Sequence, residues 1–341
     1  MTLSSLLRNP FRQLGRASVP IAGSAANHRQ LSEIPSDVRR LIRDHCYFRV
    51  LAPQNGVEFD DLSVWCAWQA VEQEMAIVPE GRVMLRHDLV TDGSDFASFD
   101  SSNVHPTPVA AFYLDKTPVT NADYLRFVEA DCYSHAELWP EDILPMVLQF
   151  VDQTKRPGPR HWTNGQPDKD KRDHPVVGVC WYEASAYAQW AGKQLPGPTQ
   201  WQRAGTWMQS TGNTAEIHYP WGNSFDPAKA NVWASGHHQT VPVTEFENGD
   251  TLNGVRQLIG NVWEWIDAEY VVHGTNGLEV LMPEPMGEIR GGAFDTYFHS
   301  QATCQFRTGK ALTYRGANVG FRCGRGLDGL LPKPELANEE N

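Results

Sequence analysis

The chain has 341 residues, enough for one large domain or for a smaller domain beside a main one. Its 29 basic and 41 acidic residues give a net charge of −12, which argues against a general attraction to the phosphates of nucleic acids. Charged residues make up 21%, whereas 28 glycines, 23 prolines and 12 tryptophans favour a loop-rich globular protein held by aromatic packing.

The first segment, residues 1–32, is basic. Arg8, Arg12, Arg16 and Arg29 occur there before any aspartate or glutamate. Its leucines suggest a short helix for a membrane surface or for targeting, but Pro10 and a run of small residues interrupt such a helix. We therefore predict a flexible basic tail. No stretch of the sequence approaches the roughly 18 apolar residues that a membrane span requires, so no transmembrane segment is expected.

Residues 33–75 are predicted to form a short helical extension. Ser36 is a suitable N-cap for a helix that ends at Arg49, with Val38 and Leu41 on its apolar face. A second helix is predicted from Asp61 to Met75. The two helices should pack as a small hairpin.

The main domain is predicted to begin at residue 76. In "MAIVPEGRVML", two short apolar runs flank Pro79-Glu80-Gly81, a pattern typical of a strand, a turn and a strand. The later stretch "FYLDKTPVTNADYLRFVEA" indicates a strand followed by a helix. Thr120 is its expected N-cap, and Asp123 completes a capping box.

The next segments combine a long loop with two more helices. Residues 138–173 are rich in proline and charge, and we predict a surface excursion there. The stretch "HPVVGVCWYEASAYAQWAGKQLPGPTQWQRAGTWM" then predicts a strand and two helices. Gly192 should end the first helix, and Thr199 with Gln202 should form the capping box of the second.

The cysteines show no disulfide or zinc pattern. None of them forms a C-x-x-C pair, and the spacing is unlike that of a small secreted domain. We therefore expect free thiols in a reducing compartment and a cytoplasmic location, with Cys180 in the core. The six cysteines are Cys46, Cys66, Cys132, Cys180, Cys304 and Cys323.

Several sequence blocks follow one another along the chain. They are "PVTNADYLRFV", "HPVVGVCWYEASAYAQWAGKQLP", "YPWGNSFDPAKANVW", "GNVWEW", "RGGAF" and "NVGFRCG". In this order they resemble the formylglycine-generating enzyme family, also called the sulfatase-modifying-factor domain. The resemblance covers about residues 76–326 and leaves residues 327–341 as a C-terminal tail. It implies an α+β fold, the loop-rich variant of the C-type-lectin fold that this family uses.

The resemblance also implies bound calcium. Carried over from the family, the ligands of one site are Gln257, Gly260, Val262 and Glu264. Calcium prefers about six to eight hard oxygens, which a tight glycine turn and a carboxylate help to supply. The alternative is a buried Glu264 that arginine or backbone donors satisfy without metal.

A second calcium site in the family begins at a pair that matches Asn231 and Val232. Its other half is normally an acidic, glycine-containing loop. This chain instead has "ASGHHQTVPV", which is shorter and contains no acid. The resemblance therefore supports this site less than the first.

The family's activity depends on two cysteines in a C-x-x-x-x-C arrangement. They bind copper(I) and activate oxygen, which oxidises a substrate cysteine to formylglycine, and soft thiolates suit copper(I). Aligning Arg307 with the family's arginine places the pair on Thr303 and Thr308. A shift of one residue gives Cys304 and Gly309 instead. Neither register supplies two thiols, so we expect no copper pair and regard Cys304 as the one candidate catalytic thiol.

Two functions remain from the sequence. One is a calcium-stabilised scaffold that binds a protein or peptide partner or assists maturation and has lost the copper chemistry. The other is an active oxidase for a cysteine of a sulfatase-like polypeptide, with Cys304 as its surviving thiol. For the first, aromatic residues and arginine are the usual interface anchors. The expected binding surface is Phe294, Tyr297, Phe298, Phe306, Arg307 and Tyr314.

Overall fold

A computed structural model describes most of the chain after the basic tail. The predicted tail 1–32 lies outside the described residues, as does the end of the chain after residue 335. No helix within the described part is long and apolar enough to cross a bilayer. The described residues are 33–54, 56–85, 89–90, 98–99, 106–207, 217–273, 279–280 and 282–335.

The chain combines short helices, short strands and long connections, as its glycine and proline content predicts. The helices are α1 (Ser36–Arg43), α2 (Phe48–Leu51), α3 (Asp61–Glu74), α4 (Asn121–Glu129), α5 (Leu144–Val147), α6 (Trp181–Trp190) and α7 (Pro198–Thr206). The strands are β1 (Met75–Val78), β2 (Gly81–Met84), β3 (Leu89–Val90), β4 (Ser98–Phe99), β5 (Pro106–Val109), β6 (Phe112–Asp115), β7 (Trp263–Glu269), β8 (Val272–His273), β9 (Glu279–Val280), β10 (Met286–Arg290), β11 (Arg307–Ala311), β12 (Val319–Gly320) and β13 (Gly324–Gly326).

The strands form small sheets that join distant parts of the sequence. One sheet has the order β11-β10-β7-β12, in which β12 runs parallel to β7 and the other pairs are antiparallel. A second sheet has the order β1-β6-β13 and is antiparallel. The fold is therefore a mixed arrangement of helices and sheets with many loops.

The predicted strands on either side of Pro79 exist, but they do not pair with each other. β1 pairs with β6, and β2 pairs with β5. Arg203 on α7 donates hydrogen bonds to the carbonyls of Pro79 (3.1 Å) and Glu80 (2.8 Å). Its guanidinium lies against Gly81, so it occupies the connection between the two strands.

The helix predicted from Ser36 to Arg49 is broken in the structure. α1 ends at Arg43, and His45 takes a left-handed φ of 62° before α2 begins. The amides of His45 and Cys46 donate to the carbonyls of Ile42 (3.1 Å) and Leu41 (2.7 Å). These bonds form the Schellman arrangement that terminates many helices. Glycine usually holds the left-handed position, so the histidine here did not signal this helix end.

The other predicted helix boundaries agree more closely with the structure. α3 matches the prediction and is capped by Asp60, which accepts from the amide of Ser63 (2.8 Å). The Thr120 capping box of α4 is confirmed. α7 begins earlier than predicted, after Gly197, whose amide donates to the Gln200 side chain (2.9 Å).

The helical extension packs against the sheet β1-β6-β13 and against the end of the chain. The indole of Trp68 donates to the carbonyl of Leu331 (3.1 Å), and the amide of Leu331 donates to Leu51 (2.7 Å). Lys193, which follows α6, places its ammonium 4.7 Å from the ring of Tyr47. The extension and the segment after β13 are therefore built into one structure with the main domain.

Residues 138–173 only partly match the surface excursion predicted from their composition. Most of these residues are exposed, but their large apolar side chains enter a buried cluster that also contains residues of α4 and α6. An average over many polar residues did not predict these few widely spaced anchors. The large apolar side chains that are buried are Leu138, Trp139, Ile143, Val147, Phe150 and Trp162.

Arg315 links residues 138–173 to the buried core through hydrogen bonds. Its guanidinium donates to the carbonyls of Val151 (3.0 Å) and Gly158 (2.6 Å) and to the carboxylate of Glu183 (2.9 Å). Glu183 is completely buried on α6 and also accepts from the hydroxyl of Tyr133 (2.7 Å). One arginine therefore compensates a buried charge and holds two loop carbonyls.

Replacing Arg315 with methionine should lower the free energy of unfolding by about 3–5 kcal/mol, because Glu183 keeps a buried charge without its cation. Arg160→Met removes an exposed arginine from the same region. This variant should change the free energy of unfolding by less than about 0.5 kcal/mol. Urea unfolding measures both. Equal stability of the two variants would contradict the role of Arg315.

The decrease in unfolding free energy caused by Arg315→Met should also depend on pH. Burial raises the pKa of Glu183 above its ordinary value of 4.5, although Arg315 opposes this. Between the unfolded and folded pKa values the folded state binds more protons, so stability falls as pH rises through that window. Without Arg315 the folded pKa rises further. Arg315→Met should therefore lose more stability at about pH 8 than at about pH 5, and equal losses would contradict this account.

Candidate functional site

The candidate site surrounds the turn that precedes β7. Gly260 and Asn261 have left-handed φ values of 84° and 67°. The loop at Asn231 passes so close to Gly260 that a Cβ there would lie 2.7 Å from the Asn231 carbonyl oxygen. The amide of Asn261 donates to that oxygen (2.7 Å). Glycine is therefore required by the close approach of a second loop as well as by the turn.

Glu264 lies on β7, three residues after Asn261, and is completely buried. Arg322 donates to both of its oxygens, through Nη2 at 2.7 Å to Oε1 and through Nε at 2.8 Å to Oε2. The indole of Trp201 on α7 donates to Oε2 at 2.7 Å. The arginine donor of the predicted alternative is therefore present, and an indole rather than a backbone amide supplies the further hydrogen bond.

A second buried charge lies over the ring of Trp201. The guanidinium of Arg290, at the end of β10, lies 6.0 Å from the ring centre. Glu288 accepts from Arg290 at 2.5 Å and from Arg307 at 3.3 Å. Trp201 thus separates two ion pairs. Only Arg290 of these residues lies in one of the sequence blocks, and no sequence pattern indicated these contacts.

Gln257 contacts a neighbouring loop through its amide. Its Nε2 donates to the carbonyls of Pro242 (2.9 Å) and Glu245 (3.0 Å). Its Oε1 accepts from the side chain of Asn261 at 2.7 Å. Both the nitrogen and the oxygen of this buried side-chain amide therefore form hydrogen bonds.

Asn261 extends the same chain of amides. Its Oδ1 accepts from the amide of Val241 (2.9 Å) and from Nδ2 of Asn231 (3.0 Å), and its Nδ2 donates to the carbonyl of Val241 (3.0 Å). Asn231 also donates to the carbonyl of Gln239 (2.9 Å). We call Asn231, Gln257 and Asn261 the amide relay. Sequence reasoning missed the central role of Asn261.

The predicted calcium ligands are close together but do not fit a calcium ion as they are arranged. The carboxylate of Glu264 already accepts four hydrogen bonds, three of them from a guanidinium. Gln257 and Asn231 direct nitrogen, which is not a calcium ligand, at nearby carbonyls. The carbonyl of Gly260 accepts from the amide of Val262 (2.9 Å), and Val232 is a buried apolar neighbour. Trp263 and Trp265 are buried.

The candidate catalytic thiol is enclosed. Cys304 is completely buried, and a Cβ on Gly205 of α7 would lie 2.6 Å from its sulfur. Burial raises the pKa of this thiol to about 12, although Arg290 opposes the shift. The thiol is therefore protonated at neutral pH, whereas copper(I) binds the thiolate.

The two positions aligned with the copper pair carry hydroxyls. Thr303 is buried, and its Oγ1 accepts from the amide of Phe306 at 3.2 Å. Thr308 lies on β11 opposite Ile289. Hydroxyls do not replace thiolates for copper(I), so these residues do not fit the family's copper centre.

The predicted binding surface divides into exposed and inward-facing residues. Tyr297 and Phe298 are 69% and 61% exposed. Phe294 and Phe306 are half-buried, and Arg307 contacts Glu288. Tyr314 is 36% exposed and lies beneath the ammonium of Lys310, 5.1 Å from the ring centre.

The structure adds two residues to the exposed part of this surface. Trp233 is 46% exposed and lies 6.3 Å from the ring of Tyr297, and His238 lies 4.3 Å from Trp233. The amide of Trp233 donates to the carbonyl of Thr296 (3.2 Å), which holds the two loops together. The aromatic patch is defined as Trp233, His238, Tyr297 and Phe298. No sequence pattern linked its two halves.

Residues 63–327 match the family model described as the sulfatase-modifying factor enzyme 1-like domain. The chain is 29% identical over 291 residues to the inactive C-alpha-formylglycine-generating enzyme 2 of Bos taurus, covering 74% of this chain and 88% of that protein. It is 28% identical over 277 residues to the formylglycine-generating enzyme of Streptomyces coelicolor, covering 69% and 85%.

Solved structures give a weaker likeness. PvdO from Pseudomonas aeruginosa superposes with a TM-score of 0.48 at 20% identity, covering 74% of this chain and 94% of PvdO.

Breaking the buried pair of Glu264 and Arg322 should be costly. Arg322→Met should lower the free energy of unfolding by about 3–5 kcal/mol, because the carboxylate stays buried without its cation. Adding Glu264→Gln should recover part of this loss, since the uncompensated charge disappears while an oxygen remains for Trp201. Urea unfolding of the single and double variants measures the coupling, with Arg39→Met as an exposed arginine control. If the double variant is no more stable than Arg322→Met, the uncompensated charge of Glu264 is not the cause of the loss.

Proposed function

Because the chain belongs to the sulfatase-modifying factor enzyme 1-like family, we propose that it is a scaffold that binds a polypeptide partner or assists maturation without the family's copper oxidase chemistry. Its fold is then the formylglycine-generating-enzyme variant of the C-type-lectin fold. The small sheets and long loops described above support this assignment.

The observation that carries the proposal is the chemistry at the aligned copper positions. Thr303 and Thr308 bear hydroxyls, and the neighbouring thiol of Cys304 is buried against α7 with a pKa of about 12. In this family, copper(I) is expected to be held by two cysteine thiolates, the soft ligands that suit it. A chain without them retains the shape of the family but lacks the groups that perform the oxidation.

The relatives do not decide between the two functions, because an inactive and an active family member match at nearly equal identity. The decision depends on residues of this chain. An oxidase using Cys304 would need β11 and α7 to separate and expose the sulfur, and it would need a second soft ligand. The six cysteines are all buried and unpaired, which supports a reducing compartment such as the cytoplasm.

The aromatic patch supports a protein or peptide as the partner. Three large rings are about half or more exposed on adjacent loops, and such contiguous apolar surface is typical of interaction sites. Tyrosine and tryptophan supply large contact areas with few rotatable bonds. Two of its four residues, Tyr297 and Phe298, lie in the connection between β10 and β11, which also contains Thr303. A polypeptide held there would pass close to the place where the family's chemistry occurs.

Copper binding tests the loss of the oxidase. The protein is loaded with copper(I) in reducing buffer, desalted and analysed for metal. The wild-type chain should retain little copper, whereas Thr303→Cys combined with Thr308→Cys should retain about one copper per chain, because two soft ligands are restored. Cys304→Ala should behave like the wild type.

Product analysis accompanies this experiment. A sulfatase-type peptide containing cysteine is incubated with the copper-loaded protein in air, with the Streptomyces coelicolor enzyme as a positive control. We expect no formylglycine above the level without protein. Copper that is retained by the wild type and lost in Cys304→Ala, together with formylglycine, would overturn the scaffold proposal in favour of the oxidase.

Peptide binding tests the aromatic patch. The same cysteine-containing peptide, labelled with a fluorophore, is titrated with the protein. Tyr297→Ala combined with Phe298→Ala should weaken binding by at least about tenfold, as expected for exposed aromatic anchors. Leu252→Ala removes an apolar side chain that is 76% exposed outside the patch and should have little effect. Equal affinity of both variants would contradict this surface, and no binding by the wild type would contradict this peptide class.

A further inference from the structure

We infer that this chain holds the loop 231–245 to the turn 257–264 with protein groups alone, in place of the calcium ion that its family resemblance implies. Two independent sets of contacts carry this inference. One satisfies the buried charge of Glu264, and the other, the amide relay, closes the loop onto the turn.

The first set removes the electrostatic need for a cation. A calcium ion would compensate the charge of a buried carboxylate, but here Arg322 performs that role at 2.7–2.8 Å. Both residues are completely buried. The guanidinium is held in place by further bonds to the carbonyls of Asp115 (3.1 Å) and Arg256 (2.7 Å). A divalent cation beside Glu264 would therefore face a fixed positive charge.

The second set supplies hydrogen-bond donors where a cation would need oxygen. The carbonyls of Gln239, Pro242 and Glu245 all accept from side-chain amides of the relay. Turned around, these amides would aim oxygen at carbonyl oxygen, which only a cation between them could stabilise. The amide of Val241 fixes the orientation of Asn261, because it donates to Oδ1 and leaves Nδ2 for Gln257.

Unusual backbone conformations occur within the loop, just after it and in the turn. His238, Phe246, Gln257 and Asn261 all have φ values between 50° and 67°, a region that non-glycine residues seldom adopt. Such conformations persist where surrounding contacts fix them. Asn231, Gln257 and Asn261 bond to this loop or to one another. Loss of one relay member should therefore loosen the loop, whatever the metal content of the solution.

Calcium dependence of the wild-type chain is the direct test. A native-state site at a calcium concentration about 100 times its dissociation constant would shift the unfolding equilibrium about 100-fold. We expect no measurable shift in the thermal unfolding midpoint between excess chelator and excess calcium. We also expect much less than one calcium per chain after desalting. Stoichiometric calcium, or a midpoint that falls in chelator, would overturn the inference.

Gln257→Glu separates the two arrangements in the presence of calcium. It preserves size but removes two donors and places a carboxylate opposite the carbonyls of Pro242 and Glu245. The amide relay predicts a lower unfolding midpoint than the wild type in calcium. A calcium ligand at this position predicts an equal or higher midpoint, because a carboxylate binds calcium more strongly than an amide oxygen. An equal or higher midpoint would therefore count against the relay.

Gln305→Glu is the matched control. Gln305 is a half-buried amide that donates to the carbonyl of Ile217, outside the relay. Its replacement removes one donor of the same kind. We expect a smaller decrease in the midpoint than for Gln257→Glu and no difference between calcium and chelator. A decrease as large as that of Gln257→Glu would show that the relay has no special role.

Discussion

The buried ion pair between Glu264 and Arg322 joins segments that lie far apart in the sequence. Two fully buried charges are tolerated only where they compensate each other and their remaining hydrogen bonds are made. Arg322 meets this condition by bonding to Glu264 and to carbonyls from β6 and from the segment before β7. Trp201 on α7 donates a further hydrogen bond to Glu264. Four parts of the chain, distant in sequence, therefore meet around one carboxylate.

This arrangement explains how a protein with short strands and many loops keeps a defined shape. Repetitive hydrogen bonding within helices and sheets covers little of the chain, so long connections need anchors of another kind. Arg315 fixes residues 138–173, and the amide relay fixes the loop 231–245. Each anchor is a buried polar side chain that bonds to backbone carbonyls. The loops that carry the aromatic patch are consequently held in place while their rings remain exposed.

The family resemblance and the site chemistry diverge for a physical reason. The shape of the domain comes from packing and from buried polar anchors, which involve many residues along the chain. Copper and calcium chemistry instead depends on a few individual donor atoms. Threonine at positions 303 and 308 supplies hydroxyls where the family's copper pair supplies thiolates. A scaffold can therefore persist while its metal chemistry is lost.

Features that depend on local or linear pattern could be predicted from the sequence alone. They include α3, the Thr120 capping box and the family, because helix caps and ordered motifs are written in neighbouring residues. The sequence also predicted that neither register of the copper motif supplies two thiols. Contacts between distant residues required the folded structure: β1 and β2 pair with other strands, residues 138–173 contribute side chains to the core, and Arg322 pairs with Glu264. A linear sequence does not specify which donor reaches a given buried acceptor.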